Sequence, residues 1–513
     1  MSLLALVVLL YPLVLVTVSL VRSRKVKSHE DFMVAGRSVP VVLLVGTLVC
    51  TWIGSGSLFG GAGLAYRTGI AELWFSSGGW VGLVVAFFIA GRVRRIAQYT
   101  VPDLLEQRYN AAARVLGTIS IILAYVTIAA YQFRGGGWIL TIVTDGAISL
   151  PVGMVITAAT IMVFTALAGM VSIVTVDIFN GIIITLGVLF ALPYMVVELG
   201  GLGALLDALP PEHTSAFGVH NPLWAFGVAM PTFLLILGES GMYQKFFSAR
   251  DENAARKAVV GMVIGIVVIE TALALLAITG RAAFPELAAG TSIVGRDASE
   301  SVILHIARHG LPVAGGAVLL AAAVAIVLST GNTFLLIPST NASRDIYHRF
   351  INPDASEKAL LLVQRVSIFV FGGLALALIS QFQSILAMAL FAYSLVGASL
   401  TPALLAAFLW KRVTPQGGVA CIAGGLLSIV GIAAANRLLG LSFQIPNTDF
   451  DFASSDYIVI PGVFISTSLL VVVSLLTRPS PAEKWQPFFT PAGATLAEAI
   501  GAKGEPGGEG AGT

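Results

Sequence analysis

The sequence predicts an all-α polytopic membrane protein built from two inverted five-helix units, and three observations lead there. The 513 residues are 57% hydrophobic and 11% charged, the balance of a chain whose solvent is mostly lipid. Apolar runs recur along nearly the whole length, giving about thirteen spans near 3–21, 40–66, 70–91, 115–142, 149–168, 173–198, 223–244, 257–279, 311–338, 360–380, 384–410, 418–436 and 457–477. The second and seventh runs are interrupted, and interrupted helices five spans apart are the expected trace of an inverted repeat, spans 2–6 against 7–11.

Residues 3–21 have the length of a signal peptide but no basic segment before them. Arg22, Arg24, Lys25 and Lys27 follow at once, as beside a retained span. The second run, LLVGTLVCTWIGSGSLFGGAGLAYRTG at 43–69, carries Gly54, Gly56, Gly60, Gly61 and Gly63, interleaved with Ser55 and Ser57. A helix opened there frees backbone carbonyls at membrane depth, which is tolerated only where they line a cavity or bind something. In the third span Trp74, Phe75, Ser76 and Ser77 are candidate pocket walls. YTVPDLLEQRYN, at 99–110, reads as a short interfacial helix with Pro102 in its first turn and Asp103 and Glu106 near its N-terminus. The fourth span holds YQFRGGGW, a short loop separates the fifth from the sixth, and the sixth carries Asp177. The seventh, AFGVAMPTFLLILGESGMYQ, has Pro231, Gly238 and Gly241 and is the second interrupted helix.

With the N-terminus outside, 23 of the 29 Lys and Arg residues fall at the cytoplasmic side, five fall outside, and Arg134 lies within a span. The positive-inside rule therefore sets the orientation as N-out, C-in. Residues 1–478 form one membrane domain, with the core repeat at about 40–198 and 223–410. From 479 to 513 the composition shifts to Pro, Gly, Ala and Glu, and a disordered cytoplasmic tail is expected.

Several function classes drop out. Cys50 and Cys421 both lie in apolar spans, which argues against a disulfide framework or a metal cluster. His305 and His309 have i, i+4 spacing but no intervening Glu and no third ligand, so they read as a solvated loop pair. The glycine clusters lack the strand and the GK[ST] of a phosphate loop. No convergent catalytic set appears, so the chain is not expected to be an enzyme. The tail is too short for the kinase domain of a membrane sensor, and no nucleic-acid partner is expected.

These residues together resemble one family, the sodium:solute symporters, whose members carry proline, pantothenate, sugars and sialic acid. DFMVAGRSVP (31–40), TWIGSGSLFGGAG (51–63), TVPDLLEQRYN (100–110), ALAGMVSIVTVDIFNG (166–181), GMYQKFFSARDENAARKA (241–258), STG…SRDIY (329–347) and LWKRVTPQGG (409–418) follow in family order. The resemblance implies a LeuT-type five-plus-five inverted repeat with extra helices at both ends. It also implies a sodium-coupled symporter in the cell membrane, multi-pass and in contact with lipid, that imports a small organic solute by alternating access. The alternative is a sodium-independent or proton-coupled carrier of the same fold.

For Na+, the resemblance puts ligands on the carbonyls of Cys50 and Ile53 in the broken helix. From the ninth span it adds the Ile326 carbonyl and the Ser329 and Thr330 hydroxyls. Sodium is a hard cation that takes oxygen ligands, and Ser329-Thr330 is the hydroxyl pair in an otherwise apolar run; the alternative is back-bonding to carbonyls one turn earlier. Asp177 is a candidate for a second sodium site, with Asn332 and Thr333 on the face of Ser329; the alternative is an interfacial carboxylate. The proline carriers have an aspartate where this chain has Trp52, so their details do not transfer.

Arg134 is the leading candidate for a substrate carboxylate, because an intramembrane arginine is a functional site by default and its planar fork matches that group. Sialic acid carriers of the family have an arginine on the corresponding helix. The alternatives are an internal ion pair with Glu239 or Glu72, or snorkelling. Gln132, Ser55, Ser57, Trp74, Phe75, Ser76 and Tyr393 are candidate pocket neighbours. Glu239 has three open roles: a pair with Arg134, a polar network, or contact with a substrate amine.

Overall fold

The structure is a computed structural model that describes residues 3–23, 35–96, 98–290, 298–444 and 450–489. Arg24, Lys25 and Lys27, the start of the DFMVAGRSVP motif and the chain from 490 lie outside the described residues.

Helix α1 spans Leu3–Ser23. The first interrupted helix begins as α2, Val41–Trp52, and stops where Ile53 turns extended (φ −75°, ψ 95°). It resumes through a π-wound turn, Gly56–Gly61, into α3, Ala62–Thr68. Gly54 permits the opening: a Cβ there would stand 2.9 Å from both Gln132 Nε2 and Thr330 Cγ2. Next come α4 (Leu73–Ile96), α5 (Val101–Arg108) and α6 (Ala111–Val143). α5 is the short helix the sequence predicts; Thr100 Oγ1 accepts from Asp103 N, and Pro102 lies in its first turn.

The spans expected at 149–168 and 173–198 are joined in one helical element, α7, Leu150–Glu198. The connection has no proline, and helical backbone carries through it instead of the short loop expected. The second interrupted helix is α8 (Pro222–Gly238) and α9 (Ser240–Ser248), parted at Glu239 (φ −71°, ψ 108°). Then follow α10 (Glu252–Ala283), α11 (Val313–Asn341), α12 (Glu357–Leu378), α13 (Ile385–Ser399), α14 (Thr401–Leu409), α15 (Pro415–Leu439) and α16 (Val459–Leu476). Both halves of α7 pack on α11, with Ile161 beside Gly331 and Gly187 against Leu319 and Ala322.

Among the described residues, eleven helices are long and apolar enough to cross a membrane, and Leu6–Leu15 and Val41–Trp52 are shorter apolar helices. Burial separates centre from rim. In an apolar 18-residue window of Val313–Ile351 and of Ile385–Leu409, 83% of the residues are buried, against 28% in Val459–Leu476. The core is therefore α11, α13 and α14 with the two interrupted helices, and α15 and α16 present apolar side chains outward.

At the end carrying the Lys and Arg clusters, Arg114 pairs with Asp103 at 2.6 Å, Glu106 at 2.6 Å and Asp345 at 2.5 Å, and Arg344 pairs with Asp103 at 2.9 Å. This lattice ties α5 and α6 to the turn after α11. The expectation of a disordered tail from 479 needs correction, because α17 (Ala482–Phe489) is helical. The cause is an aromatic anchor: Phe488 is fully buried 5.4 Å from the Phe408 ring, and the Lys411 ammonium lies over Trp485.

Candidate functional site

The opening of the first interrupted helix leaves carbonyls that α11 reaches. Thr330 Oγ1 stands 3.3 Å from Cys50 O and 3.2 Å from Ile53 O. Sodium is close to calcium in size, and such an ion holds oxygens at about 2.3–2.6 Å, so oxygens separated in this way stand as neighbours in one shell. Ile326, one turn earlier on α11, is fully buried. Three of the five residues expected at this site thus converge directly. Ser329 faces elsewhere and donates to Asp177 Oδ1 at 2.5 Å.

Asp177 is buried, and its carboxylate also accepts from Thr47 Oγ1 at 2.5 Å. Cys50 Sγ donates to the Asp177 carbonyl at 3.1 Å, which fastens α2 to α7 beside the opening. Asn332 and Thr333 do not join this carboxylate. Asn332 Oδ1 accepts from Thr165 Oγ1 at 3.0 Å, and Thr333 Oγ1 lies 3.4 Å from Thr51 Oγ1.

The residue that sequence reasoning missed here is Lys245. Its side chain is fully buried, and Nζ donates to the Thr47 carbonyl at 2.9 Å and to Thr51 Oγ1. Its charge and that of Asp177 are near enough to interact. Lys245 lies within QKFFSAR, where it resembles the many basic residues at span edges; only the fold brings it onto α2.

A narrow cavity of about 20 Å³ lies between the two interruptions, bounded by Trp52, Gly54, Tyr131, Glu239, Lys245, Thr330 and Tyr393. Gln132 holds the opened backbone: its Oε1 accepts from Ser55 N at 3.1 Å and Ser55 Oγ at 2.6 Å. Its Nε2 is buried without a hydrogen-bond partner among the described residues and faces Gly54. Phe75 and Tyr393 stack with ring centroids 6.4 Å apart, and the Tyr393 and Tyr131 hydroxyls are 3.4 Å apart. Ser57 and Ser76 both face acids: Ser57 Oγ donates to Glu270 Oε1 at 3.1 Å, and Ser76 Oγ to Glu72 Oε1 at 2.9 Å.

Other candidates are placed differently. Trp74 is 39% exposed, stacks on Phe217 and donates to the Ala216 carbonyl, so it stands away from the opening. Arg134 donates from Nη1 to the Phe382 carbonyl at 3.2 Å, and it lies within reach of the Glu300 charge. It forms no ion pair with Glu239 or Glu72 among the described residues. Glu239 takes part in a polar network: it accepts from Gly241 N at 2.8 Å, Met242 N at 2.5 Å and Tyr125 OH at 2.6 Å. His305 Nδ1 lies 3.1 Å from the Ser301 carbonyl, and burial holds its imidazole below the usual range.

A profile of the sodium:solute symporter family matches residues 32–425. The sodium/proline symporter of Escherichia coli (strain K12) is 24% identical over 494 residues, covering 94% of each chain. That of Staphylococcus aureus is 25% identical over 496 residues, covering 91% of each. Among solved structures, a Na+-coupled sialic acid symporter in a substrate-bound outward-open state superposes with a TM-score of 0.75 at 14% identity, over 94% of this chain and 99% of that one. Mhp1, a nucleobase-cation-symport-1 family transporter in a closed conformation with bromovinylhydantoin bound, gives a TM-score of 0.58 at 12% identity, over 89% and 97%.

Proposed function

The chain belongs to the sodium:solute symporter family, and from that premise we propose that it imports a carboxylate-bearing organic solute with sodium bound between α2 and α11. It is a membrane-embedded, sodium-coupled symporter of LeuT-type fold and not an enzyme. Its orientation is N-out, C-in, with residues 1–478 working as one transport domain.

The sodium ligands are the Cys50, Ile53 and Ile326 carbonyls and the Ser329 and Thr330 hydroxyls. The observation that supports this most is the approach of Thr330 Oγ1 to both freed carbonyls. Sodium there draws α2 onto α11, and Ser329 turns from Asp177 to complete the shell. Asp177 supplies negative charge along the exit path and a second ion position, which Asn332 and Thr333 would have to leave Thr165 and Thr51 to join. Ion binding shifts the equilibrium between the two access states only by its differential affinity for them, so the bridge must be tighter in the solute-ready state. An inside-negative potential adds about 2.3 kcal/mol per charge per 100 mV.

For the solute, the partnerless Gln132 Nε2 beside Gly54 supports a carboxylate, because a buried amide donor without an acceptor is costly until a ligand supplies one. The N-terminal end of the resumed helix adds a positive dipole in the same place. Arg134, one turn beyond Tyr131 on α6, steers the anion as it enters, and Ser55, Phe75 and Tyr393 shape the pocket. The test is uptake into proteoliposomes under an inward sodium gradient. Labelled amino acids, pantothenate, sialic acid and short monocarboxylates would be compared with neutral sugars and choline. Carboxylate uptake that needs sodium and drops in Gln132→Ala and Arg134→Ala is the expected result; a neutral sugar carried equally well by all three proteins would contradict the carboxylate assignment.

A further inference from the structure

Glu270 on α10 is buried, and its three direct partners are neutral donors. Trp52 Nε1 donates to Oε1 at 2.9 Å, Ser57 Oγ to Oε1 at 3.1 Å and Trp80 Nε1 to Oε2 at 2.7 Å. An indole N–H can only donate, so both carboxylate oxygens are held as acceptors. A carboxylate has about four acceptor positions, and three are used here.

A second acid stands over the same turn of the interrupted helix. Glu72 is buried, Oε1 accepts from Ser76, and Oε2 has no partner among the described residues. The Cβ position of Gly61 lies 3.2 Å from Glu72 Oε1, while Ser57, four residues earlier in the same turn, is bonded to Glu270. The two carboxylates are near enough for their charges to interact, and neither has an ion pair among the described residues. Trp52 links this acidic wall to the central cavity, and Tyr393 lies within reach of the Glu270 charge from the other side. Two buried acids facing one opened turn, without an ion-pair partner among the described residues and with aromatic rings around them, are arranged for a cation that arrives.

We propose that Glu270, held by Trp52 and Trp80 and assisted by Glu72, binds a positively charged nitrogen on the transported solute. The inference rests on the solute cavity proposed above and deepens it: the ligand carries an ammonium as well as a carboxylate. The indoles fix the carboxylate without neutralising it, and Glu72 Oε2 supplies the second contact.

The test is thermal unfolding of the full-length, detergent-purified protein in sodium, with matched pairs that differ at one atom. Glycine betaine is set against 3,3-dimethylbutyrate, choline against 3,3-dimethylbutanol, and proline against cyclopentanecarboxylate. The nitrogen-bearing member should half-saturate at a concentration lower by about tenfold or more, the scale of a charge-assisted contact. Glu270→Gln should erase that preference while the sodium shift without ligand persists. Trp80→Phe keeps the packing, removes one donor and should weaken the preference.

Equal protection by the carbon isosteres, or a nitrogen preference retained in Glu270→Gln, would overturn the assignment. So would a panel in which no nitrogen-bearing member shifts the transition. Loss of the sodium shift itself in Glu270→Gln would assign the acid to the inorganic cation and also overturn it. A carbon isostere that binds as tightly as its nitrogen partner and is lost in Gln132→Ala would overturn the ammonium site alone and leave the carboxylate reading standing.

Discussion

Ser329 donates to Asp177 Oδ1 at 2.5 Å, so a hydroxyl of the proposed ion site is held by an acid on the neighbouring helix. In the proposed site the acid and the ion would compete for that hydroxyl, and the acid would also draw the ion in. Asp177→Asn removes the charge while keeping an acceptor. The sodium concentration for half-maximal thermal protection should rise by about tenfold, the scale of one charge-assisted contact, and a sodium titration of the unfolding temperature reads it.

Lys245 acts in the opposite sense. Its ammonium is bonded to Thr47 and Thr51 on the helix whose end carries the Cys50 and Ile53 carbonyls. A fixed cation there disfavours an arriving one by on the order of 1 kcal/mol or more. Lys245→Met should lower the half-saturating sodium concentration by roughly fivefold, while Lys245→Arg keeps it near wild type. The same titration, run on both variants, separates charge from packing.

Glu239 caps α9 at the second interruption and receives the Tyr125 hydroxyl. Glu239→Ala should cost about 1–2 kcal/mol for the cap. Tyr125→Phe should cost less, because it leaves both backbone N–H contacts in place. Unfolding temperatures of the two variants without ligand provide the comparison.

Much of this arrangement is legible in residue pattern. Gly54 beside Ser55 marks the first opening because any larger residue would push on Gln132 and Thr330, and Gly238 before Glu239 marks the second. Ser329-Thr330 stands out as a hydroxyl pair in an apolar helix. Other features depend on what lies across the bundle. Glu270 sits in an unremarkable apolar run, and its partners Trp52 and Trp80 are 218 and 190 residues away. Lys245 reads as one more basic residue at a span edge until α9 is packed on α2. Trp74 shares the third span with Phe75, but one step along a helix turns it to the Phe217 side while Phe75 faces Tyr393. The tail reads as irregular by composition, yet Trp485 and Phe488 find aromatic and cationic partners on α14 and beside it.

The ionic lattice at the basic end predicts a pH response. Burial pushes the Glu106 carboxyl up, but the Arg349 and Arg114 guanidiniums outweigh it and hold it below its ordinary 4.5. A carboxyl lowered by folding contributes stability above its unfolded value, lost as pH falls through the folded one. The unfolding temperature should therefore drop as pH falls from 4.5 through the lowered value of Glu106. Glu106→Gln should start lower and show a shallower decline over that interval, measured at constant ionic strength.

The proposed sodium bridge between the interrupted helix and α11 is tested most directly by thermal unfolding in sodium against potassium at equal ionic strength, for wild type and Thr330→Ala. Sodium should raise the wild-type unfolding temperature in a saturable way, and Thr330→Ala should lose most of that rise while unfolding normally in potassium. Coincident sodium and potassium curves for wild type, or a full sodium shift in Thr330→Ala, would contradict ion binding at Cys50, Ile53 and Thr330.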